Sequence, residues 1–375
     1  MRTPRRLRAA LPAAAVLGAL LLGVTPAAAE TADAIGGPLM AAQGTAVTPG
    51  APAFPTGITA QGWLVADLDS GDVLAAHDAH GRYAPASTLK TLTAVTLIPR
   101  IDPGRRIVPT FDDVNVEGSK VGLVDRVAYP ATELFEALLM VSGNDAANAL
   151  ATAAGGYSVT AALMNDEARR LQALDTHAVN ASGLDADGQL TSAYDLALIA
   201  REGMSIPAFA RYVATRKSSV SGPGGKRIET YTKNKLIRNY DGALGIKNGY
   251  TVKARASFVG AAERDGRRLV VTLLKADPRV WAEAAALLDW GFAASAAGLP
   301  PVGELVDPVL PEKPADGGDR ARATFASTER PTAPPDGSSL PLAASAAGAV
   351  LLSGLVARRR TRRRSRSRYR LDLPL

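Results

Sequence analysis

The sequence contains no cysteine and only three histidines among its 375 residues. The lack of cysteine excludes disulfides, thiolate metal sites and cysteine nucleophiles. The three histidines, His77, His80 and His177, do not have the HExxH-type spacing of a zinc site. We therefore expect neither a metal nor an organic cofactor.

Basic charge is also scarce once the two ends of the chain are set aside. The formal net charge is +7, but four arginines lie within the first eight residues and nine lie between Arg358 and Arg370. The rest of the chain is therefore net acidic. A nucleic-acid platform needs basic charge on its folded surface, so no nucleic-acid partner is expected.

The two ends have the patterns of export and anchoring segments. Residues 1–29 combine arginines, an apolar run at Leu11–Val24 and small residues, which is typical of a signal peptide, either cleaved or retained as an anchor. Residues 340–357 are apolar or small throughout and just long enough for a transmembrane helix. The arginine-rich tail 358–375 would stay in the cytoplasm, so the body of the protein would face outward.

The folded body is predicted over residues 57–297, between a flexible segment 30–56 and a Pro- and Ala-rich tether 298–339. Apolar runs predict strands at both ends of the body, namely Gly62–Leu68, Asp72–Ala76, Leu244–Lys247, Ala256–Ala262 and Arg268–Lys275. Helical patterns predict Ser87–Ile98, Glu133–Val141, Ala146–Ala154, Val159–Leu171, Ser192–Glu202 and Trp281–Phe292. This order favours an α/β fold of the α+β type, with an antiparallel sheet formed by the ends of the body and flanked by helices.

A candidate nucleophile and base occur in Ser87-Thr88-Leu89-Lys90, the one SxxK in the sequence. The i, i+3 spacing puts Ser87 and Lys90 on one face of a helix, and the N–H groups at the helix start favour a developing oxyanion. Lysine can act as a base when burial or nearby positive charge lowers its pKa, which arginine cannot do. An isolated SxxK is more often a helix cap followed by a surface lysine.

Two further motifs favour the catalytic interpretation of this SxxK over the helix cap. In Ser142-Gly143-Asn144 a hydroxyl could relay a proton and an amide could bind a substrate, although the same residues could simply start a helix. In Lys247-Asn248-Gly249, followed by Tyr250, lysine offers a charge for a carboxylate and glycine allows a close backbone approach. Asn-Gly taken alone is an ordinary hairpin turn.

The ordered triple SxxK, SxN and KxG, spaced by 55 and 105 residues, resembles the penicillin-binding and serine β-lactamase superfamily. The flanking residues most resemble D-alanyl-D-alanine carboxypeptidases of the low-molecular-weight S11 type. The matching segments are 86–93, 142–147, 180–184 and 245–251. The resemblance covers residues 57–297 and implies a β-lactamase/transpeptidase-like fold with an all-helical subdomain. No second β domain is expected after Phe292.

The resemblance also implies roles for the motif residues. Ser87 would be the nucleophile and Lys90 its general base, while Ser142 and Asn144 would move protons and hold the substrate. Lys247 would steer the terminal carboxylate, and the N–H groups of Ser87 and Tyr250 would form the oxyanion hole. The implied partners are a peptidoglycan stem peptide ending in D-Ala-D-Ala and β-lactam antibiotics.

This sequence departs from the family pattern at Asn248, because most members have threonine there. An amide donor therefore replaces a hydroxyl donor. Two alternatives remain open on the sequence. A serine β-lactamase would deacylate the antibiotic quickly, but no equivalent of the class A helper glutamate is evident. A catalytically quiet wall-binding scaffold would keep the fold without covalent chemistry, and Asn248 is the residue that favours it.

Overall fold

A computed structural model describes residues 34–310 of the chain. The strands are β1 (Thr45–Val47), β2 (Gly62–Asp67), β3 (Asp72–His77), β4 (Arg106–Ile107), β5 (Tyr129–Pro130), β6 (Lys217–Ser221), β7 (Arg227–Tyr231), β8 (Ala243–Thr251), β9 (Arg255–Arg264), β10 (Arg267–Ala276) and β11 (Gly303–Glu304). The α-helices are α1 (Lys90–Leu97), α2 (Phe111–Val114), α3 (Ala131–Met140), α4 (Asn144–Ala153), α5 (Tyr157–Arg170), α6 (Ala193–Ser205), α7 (Pro207–Ala214), α8 (Lys235–Asn239) and α9 (Val280–Ala296).

The main sheet is antiparallel, with the order β1-β3-β2-β10-β9-β8 and β11 paired to the outer side of β3. The β2–β3 hairpin lies in register through Trp63↔His77 and Val65↔Ala75. The long strands β8, β9 and β10 form a meander, in which Lys247 lies opposite Val259. The predicted sheet, built from both ends of the body around a helical middle, is confirmed.

Helices cover both faces of this sheet. One face packs on α9 through Val65, Leu269, Val271 and Leu287. The opposite face carries α6 and, behind it, the helical region that includes α1, α3 and α4. A strand covered on both faces buries consecutive residues instead of alternating ones. This explains why β2 is buried throughout and why its sequence is a continuous apolar run.

Helix α1 begins three residues later than predicted, because Ala86–Leu89 forms a 3-10 turn before it. Every residue of this helix from Lys90 to Leu97 is buried, instead of a single apolar face. The helix therefore lies in the interior with neighbours on all sides. This surrounding explains how a lysine at its first position can be completely removed from water.

The structure differs from the sequence prediction at both borders of the body. The segment 30–56 was expected to be flexible, yet β1 pairs with β3 and Met40 is buried in the core. The tether was expected to begin at residue 298, yet β11 also pairs with β3, and Thr48 donates a hydrogen bond to the carbonyl of Pro300 (2.6 Å). Strands of two or three residues produce no alternating pattern, so sequence periodicity could not find them.

The elements α2, β4 to β7, α7 and α8, which are between two and eight residues long, were also missed. The predicted signal peptide 1–29, the membrane span 340–357 and the tail 358–375 lie outside the described residues. Among the helices within residues 34–310, none is both long and apolar enough to cross a bilayer.

Candidate active site

Ser87 lies in the 3-10 turn that leads into α1, and its side chain is partly exposed. The turn is tightly held. Ala86, the first residue of the turn, has a φ of 47°. A non-glycine residue adopts this left-handed conformation only when its surroundings impose it. On one side Ser257 of β9 donates a hydrogen bond to the carbonyl of Pro85 (2.7 Å). On the other, Gly183 packs so closely that a Cβ there would lie 2.0 Å from the Ala86 carbonyl oxygen.

The Lys90 amine is fully buried one helical turn beyond Ser87. Its Nζ lies 3.1 Å from Ser87 Oγ and 2.6 Å from Asn144 Oδ1, and it also contacts the carbonyl oxygen of Ser182. The amide and carbonyl oxygens can only accept hydrogen bonds, so they take two N–H groups of the lysine. In the neutral amine this leaves the lone pair for the third neighbour, the Ser87 hydroxyl.

Burial lowers the pKa of Lys90 well below its ordinary value, because an ammonium without water is costly. The positive charge of Lys247 lowers this pKa further, and Lys233 acts in the same direction. The carboxylate of Asp145 opposes them. The electrostatic surroundings therefore favour the neutral amine, which is the form that a base requires.

The second motif lies at the bend between α3 and α4. Ser142 is buried there with a φ of 64°, and its side chain makes no hydrogen bond within the described residues. Asn144 begins α4, and its Nδ2 donates to the carbonyl of Glu117 (2.7 Å). This contact turns Oδ1 of Asn144 toward Lys90. The structure thus brings Asn144 into direct contact with Lys90, and within residues 34–310 it leaves the Ser142 hydroxyl free for a further partner.

The third motif lies on β8, which forms one edge of the main sheet. Lys247 is completely buried, and its Nζ donates to the carbonyl of Asn248 (2.6 Å). Burial lowers the pKa of Lys247 to about 7, and the charge of Lys233 adds to the effect. Near neutral pH both the charged and the neutral form of Lys247 are therefore populated.

Gly249 lets β8 approach Ser87. A Cβ at this position would lie 2.7 Å from the backbone nitrogen of Ser87 and 2.6 Å from Ser257 Oγ. Such distances leave no space for a side chain. The next residue, Tyr250, is 61% exposed, so its ring does not cover the edge of the strand.

A pocket of about 230 Å³ opens beside the same end of β8. Asn248, Gly249 and Tyr250 line one side, and Lys233 and Lys235 supply positive charge to it. The chain holds 10 lysines against 33 arginines, yet Lys90 and Lys247 belong to the motifs and Lys233 and Lys235 line this pocket. The pocket can therefore receive an anionic group beside the third motif.

Sequence reasoning assigned no role to Ser182, Ser257 or Lys233, which contact or influence the site. Ser182 belongs to the segment 180–184 that carries part of the family resemblance, so its position was available as a signal. Its contribution is a backbone carbonyl, however, and no side-chain type identifies such a contact in advance. Ser257 and Lys233 reach the site through the sheet register and a loop, which the sequence alone does not define.

His80, Asp175 and Asp195 place possible metal-ligating atoms within 4.8 Å of one another. His80 Nδ1 contacts the Asp175 carboxylate (2.7 Å) and Nε2 contacts the carbonyl of Ile35 (3.0 Å). Burial would lower the pKa of His80, but these two acceptors raise it overall. Each ring nitrogen is already occupied by an oxygen acceptor, so the arrangement does not offer a free nitrogen to a metal. The cluster ties the segment containing Ile35 to the body.

Comparison with known proteins agrees with this geometry. Residues 46–278 match the family model Peptidase_S11, described as D-alanyl-D-alanine carboxypeptidase. The chain belongs to this family. D-alanyl-D-alanine carboxypeptidase DacB2 of Mycobacterium tuberculosis is 43% identical over 241 residues, which cover 62% of this chain and 82% of that protein. DacA of Escherichia coli is 30% identical over 253 residues, which span 63% of this chain and 61% of that relative.

Comparison with solved structures places this chain among the same proteins. The crystal structure of the D-alanyl-D-alanine carboxypeptidase from Mycobacterium tuberculosis is 40% identical, with a TM-score of 0.65, and covers 70% of this chain and 99% of its own. The Streptomyces K15 DD-transpeptidase is 25% identical with a TM-score of 0.61, over 64% of this chain and all of its own. The fold is therefore that of the penicillin-binding transpeptidases, as the motifs implied.

The close approach at Gly249 can be tested by Gly249→Ala. We expect the added methyl group to displace β8 from Ser87 and to slow labelling by a fluorescent penicillin on the order of 100-fold, since small misplacements of reacting groups carry such costs. Labelling rates measured at several penicillin concentrations give the effect. Gly44→Ala, where a Cβ meets nothing within 4 Å, is the control and should label like the wild type. Equal rates for the two variants would contradict the role given to this contact.

Proposed function

We propose that this carboxypeptidase removes the terminal D-alanine from peptidoglycan stem peptides through an acyl-enzyme on Ser87, with Lys90 as the base. The observation that carries the proposal is the arrangement around Lys90 Nζ. The amine is buried, two of its hydrogens face carbonyl-type oxygens, and Ser87 Oγ lies 3.1 Å away. A hydroxyl and an amine so arranged can exchange a proton without any movement of the backbone.

In the acylation step, neutral Lys90 accepts the proton of the Ser87 hydroxyl while Oγ attacks the carbonyl carbon of the penultimate D-alanine. The backbone N–H groups of Ser87 and Tyr250 would stabilise the oxyanion, each such donor being worth about 10²–10³ in rate. The close packing of Gly249 on the Ser87 nitrogen supports this pairing. Ser142, whose hydroxyl makes no hydrogen bond within residues 34–310, would pass the proton to the leaving D-alanine nitrogen.

The substrate would be held by Asn144, Lys247 and the residues of β8. Asn144 offers its amide, and the Lys247 ammonium attracts the terminal carboxylate, assisted by the amide of Asn248. The exposed charges of Lys233 and Lys235 support an anionic ligand in the adjoining pocket. Water then attacks the acyl-enzyme, Lys90 accepts its proton, and the shortened peptide leaves with Ser87 restored. β-Lactams would acylate the same serine.

We further propose that the catalytic body lies outside the cell membrane, exported by residues 1–29 and anchored by residues 340–357. The apolar run followed by arginines supports a single span with the tail in the cytoplasm. An outward-facing body fits a substrate that lies in the cell wall.

Intact-mass spectrometry tests the nucleophile. Incubation with penicillin should add one penicillin mass to the wild type and none to Ser87→Ala, because the covalent bond forms at Oγ. A D-Ala-D-Ala peptide should lose one alanine only with the wild type. A folded wild type that is never acylated would favour a quiet scaffold, and an adduct that disappears within seconds would favour a β-lactamase.

The two lysines predict a bell-shaped dependence of kcat/KM on pH with a peptide substrate. The acid limb reports Lys90, which acts only after losing its proton, so the rate rises with pH. The alkaline limb reports Lys247, whose pKa of about 7 means that the carboxylate-binding ammonium is lost above neutrality. Initial rates measured from about pH 4 to about pH 10 define both limbs of the profile.

An acyl-D-alanine p-nitrophenyl ester, which has no terminal carboxylate, serves as the control for this profile. It should keep the acid limb and lose the alkaline limb. A profile that is flat on the acid side would contradict the role of Lys90. An alkaline limb that is equal for both substrates would contradict that of Lys247.

The anchor is tested by comparing the full chain with a chain that ends at residue 339. After expression and alkaline washing, we expect the full chain in the membrane fraction and the shortened chain in the supernatant, since residues 340–357 supply the apolar surface. A third chain that ends at residue 357 separates the apolar run from the arginines. Release of the full chain by the alkaline wash would refute the span.

A further inference from the structure

Asp145 follows the second motif and is completely buried, yet the mechanism above does not use it. Its Oδ1 accepts the N–H of Val121 (3.0 Å), and its Oδ2 accepts those of Gly122 (2.8 Å) and Leu123 (3.0 Å). Its hydrogen-bond partners within residues 34–310 are backbone N–H groups rather than cations. Gly122 has a φ of 92°, which lets successive N–H groups converge on one anion. A buried carboxylate is costly, so this one has a structural or catalytic purpose.

The segment that Asp145 holds, residues 117–123, contains neither helix nor strand. Its carbonyl groups nevertheless bind Asn144: Glu117 accepts from Nδ2 and Ser119 accepts from the backbone nitrogen, both at 2.7 Å. Because a carbonyl can only accept, Nδ2 of Asn144 must face Glu117, and Oδ1 must face Lys90. The segment therefore determines which atom of the Asn144 amide the base contacts.

We propose that Asp145 is a positioning residue for catalysis, which fixes the segment 117–123 and through it holds Oδ1 of Asn144 against the Lys90 amine. This inference rests on the proposed role of Lys90 as the base. The contacts form one continuous path from the carboxylate through the segment to Asn144, Lys90 and Ser87. If the segment shifted, the amide could turn, and one of the two acceptors that orient the amine would be lost.

The charge of Asp145 has a second, separable effect. Among the charges that act on the Lys90 pKa, Lys247 and Lys233 lower it and Asp145 raises it. Removal of the carboxylate charge therefore lowers the pKa of Lys90, and the base would lose its proton at a lower pH than in the wild type. A residue that merely stabilised the fold would not move this limb of the pH profile.

The test is Asp145→Asn, which keeps the shape and removes the charge. We expect acylation by penicillin to slow on the order of 10-fold to 100-fold. The acid limb of the pH profile should move to lower pH by more than the error between replicates. With a D-Ala-D-Ala peptide, kcat should fall and KM should change less than about threefold, since the substrate does not touch Asp145. Circular dichroism at the assay temperature gives the folded fraction to which rates are normalised.

The matched control is Asp113→Asn. Asp113 is another fully buried carboxylate, which accepts hydrogen bonds from Thr152 and Tyr157 (both 2.7 Å) in the same helical region and makes no contact with the site. This variant should lose thermal stability and keep the wild-type rate and acid limb. Equal behaviour of the two variants, or an unmoved acid limb in Asp145→Asn, would overturn the proposal.

Two further variants decide the matter if Asp145→Asn does not fold. Asp145→Glu keeps the charge but displaces it, so acylation should slow while the acid limb stays in place. Gly118→Ala, whose Cβ would lie 2.9 Å from Asn144 Nδ2, should act in the same way without touching the carboxylate. Wild-type rates in both would overturn the inference. A wild type that is never acylated would instead refute the proposed function.

Discussion

The burial of one lysine amine beside one serine hydroxyl is the constraint around which this molecule is organised. An ammonium in the interior is costly, so the cost must be offset by neutralising the group or by surrounding it with acceptors. The structure does both. Two oxygens, from Asn144 and Ser182, receive the N–H groups of Lys90, and a second lysine nearby disfavours the charge. Each neighbour of the amine comes from a different part of the chain.

This requirement explains why the site needs both layers of the fold. Helix α1 carries Lys90 into the interior, and the 3-10 turn before it presents the partly exposed Ser87. The sheet supplies the opposite wall, since β8 is its edge strand and Gly249 allows its backbone to touch the turn of the nucleophile. Ser257, one strand further in, fastens that turn to the sheet. A shift of the sheet relative to the helical layer would therefore separate Ser87 from β8.

Two of the eight non-glycine residues with a positive φ in the described part of the chain lie at the same place. Ala86 and Ser142 both have positive φ angles, of 47° and 64°, and each adjoins or belongs to a catalytic motif. Such conformations persist only where the surrounding packing imposes them. Gly183, with a φ of 76°, closes against Ala86 from the other side. The turn that presents Ser87 is thus imposed by its neighbours rather than by its own sequence preference.

Several elements could be predicted because their signals are local. The apolar runs of β2, β9 and β10 and the existence of α9 are visible in the sequence, although α9 extends four residues beyond the predicted Phe292. The SxxK, SxN and KxG motifs identified the family and the candidate residues. The short strands β1 and β11 could not be predicted, because two or three residues carry no periodicity. Their pairing with β3 depends on partners more than 25 residues away in the chain for β1 and more than 200 for β11.

The sequence by itself determined the types of chemical group and their order: a serine and a lysine one helical turn apart, an asparagine, a second lysine and a glycine. Only the tertiary structure decided their protonation and orientation. The low pKa of Lys90 arises from burial and from the positive charges of Lys233 and Lys247, which are more than 140 residues away in the chain. The direction of the Asn144 amide arises from a carbonyl group of an irregular segment. Solvent exclusion and electrostatic proximity are properties of packing, which no local pattern of residues contains.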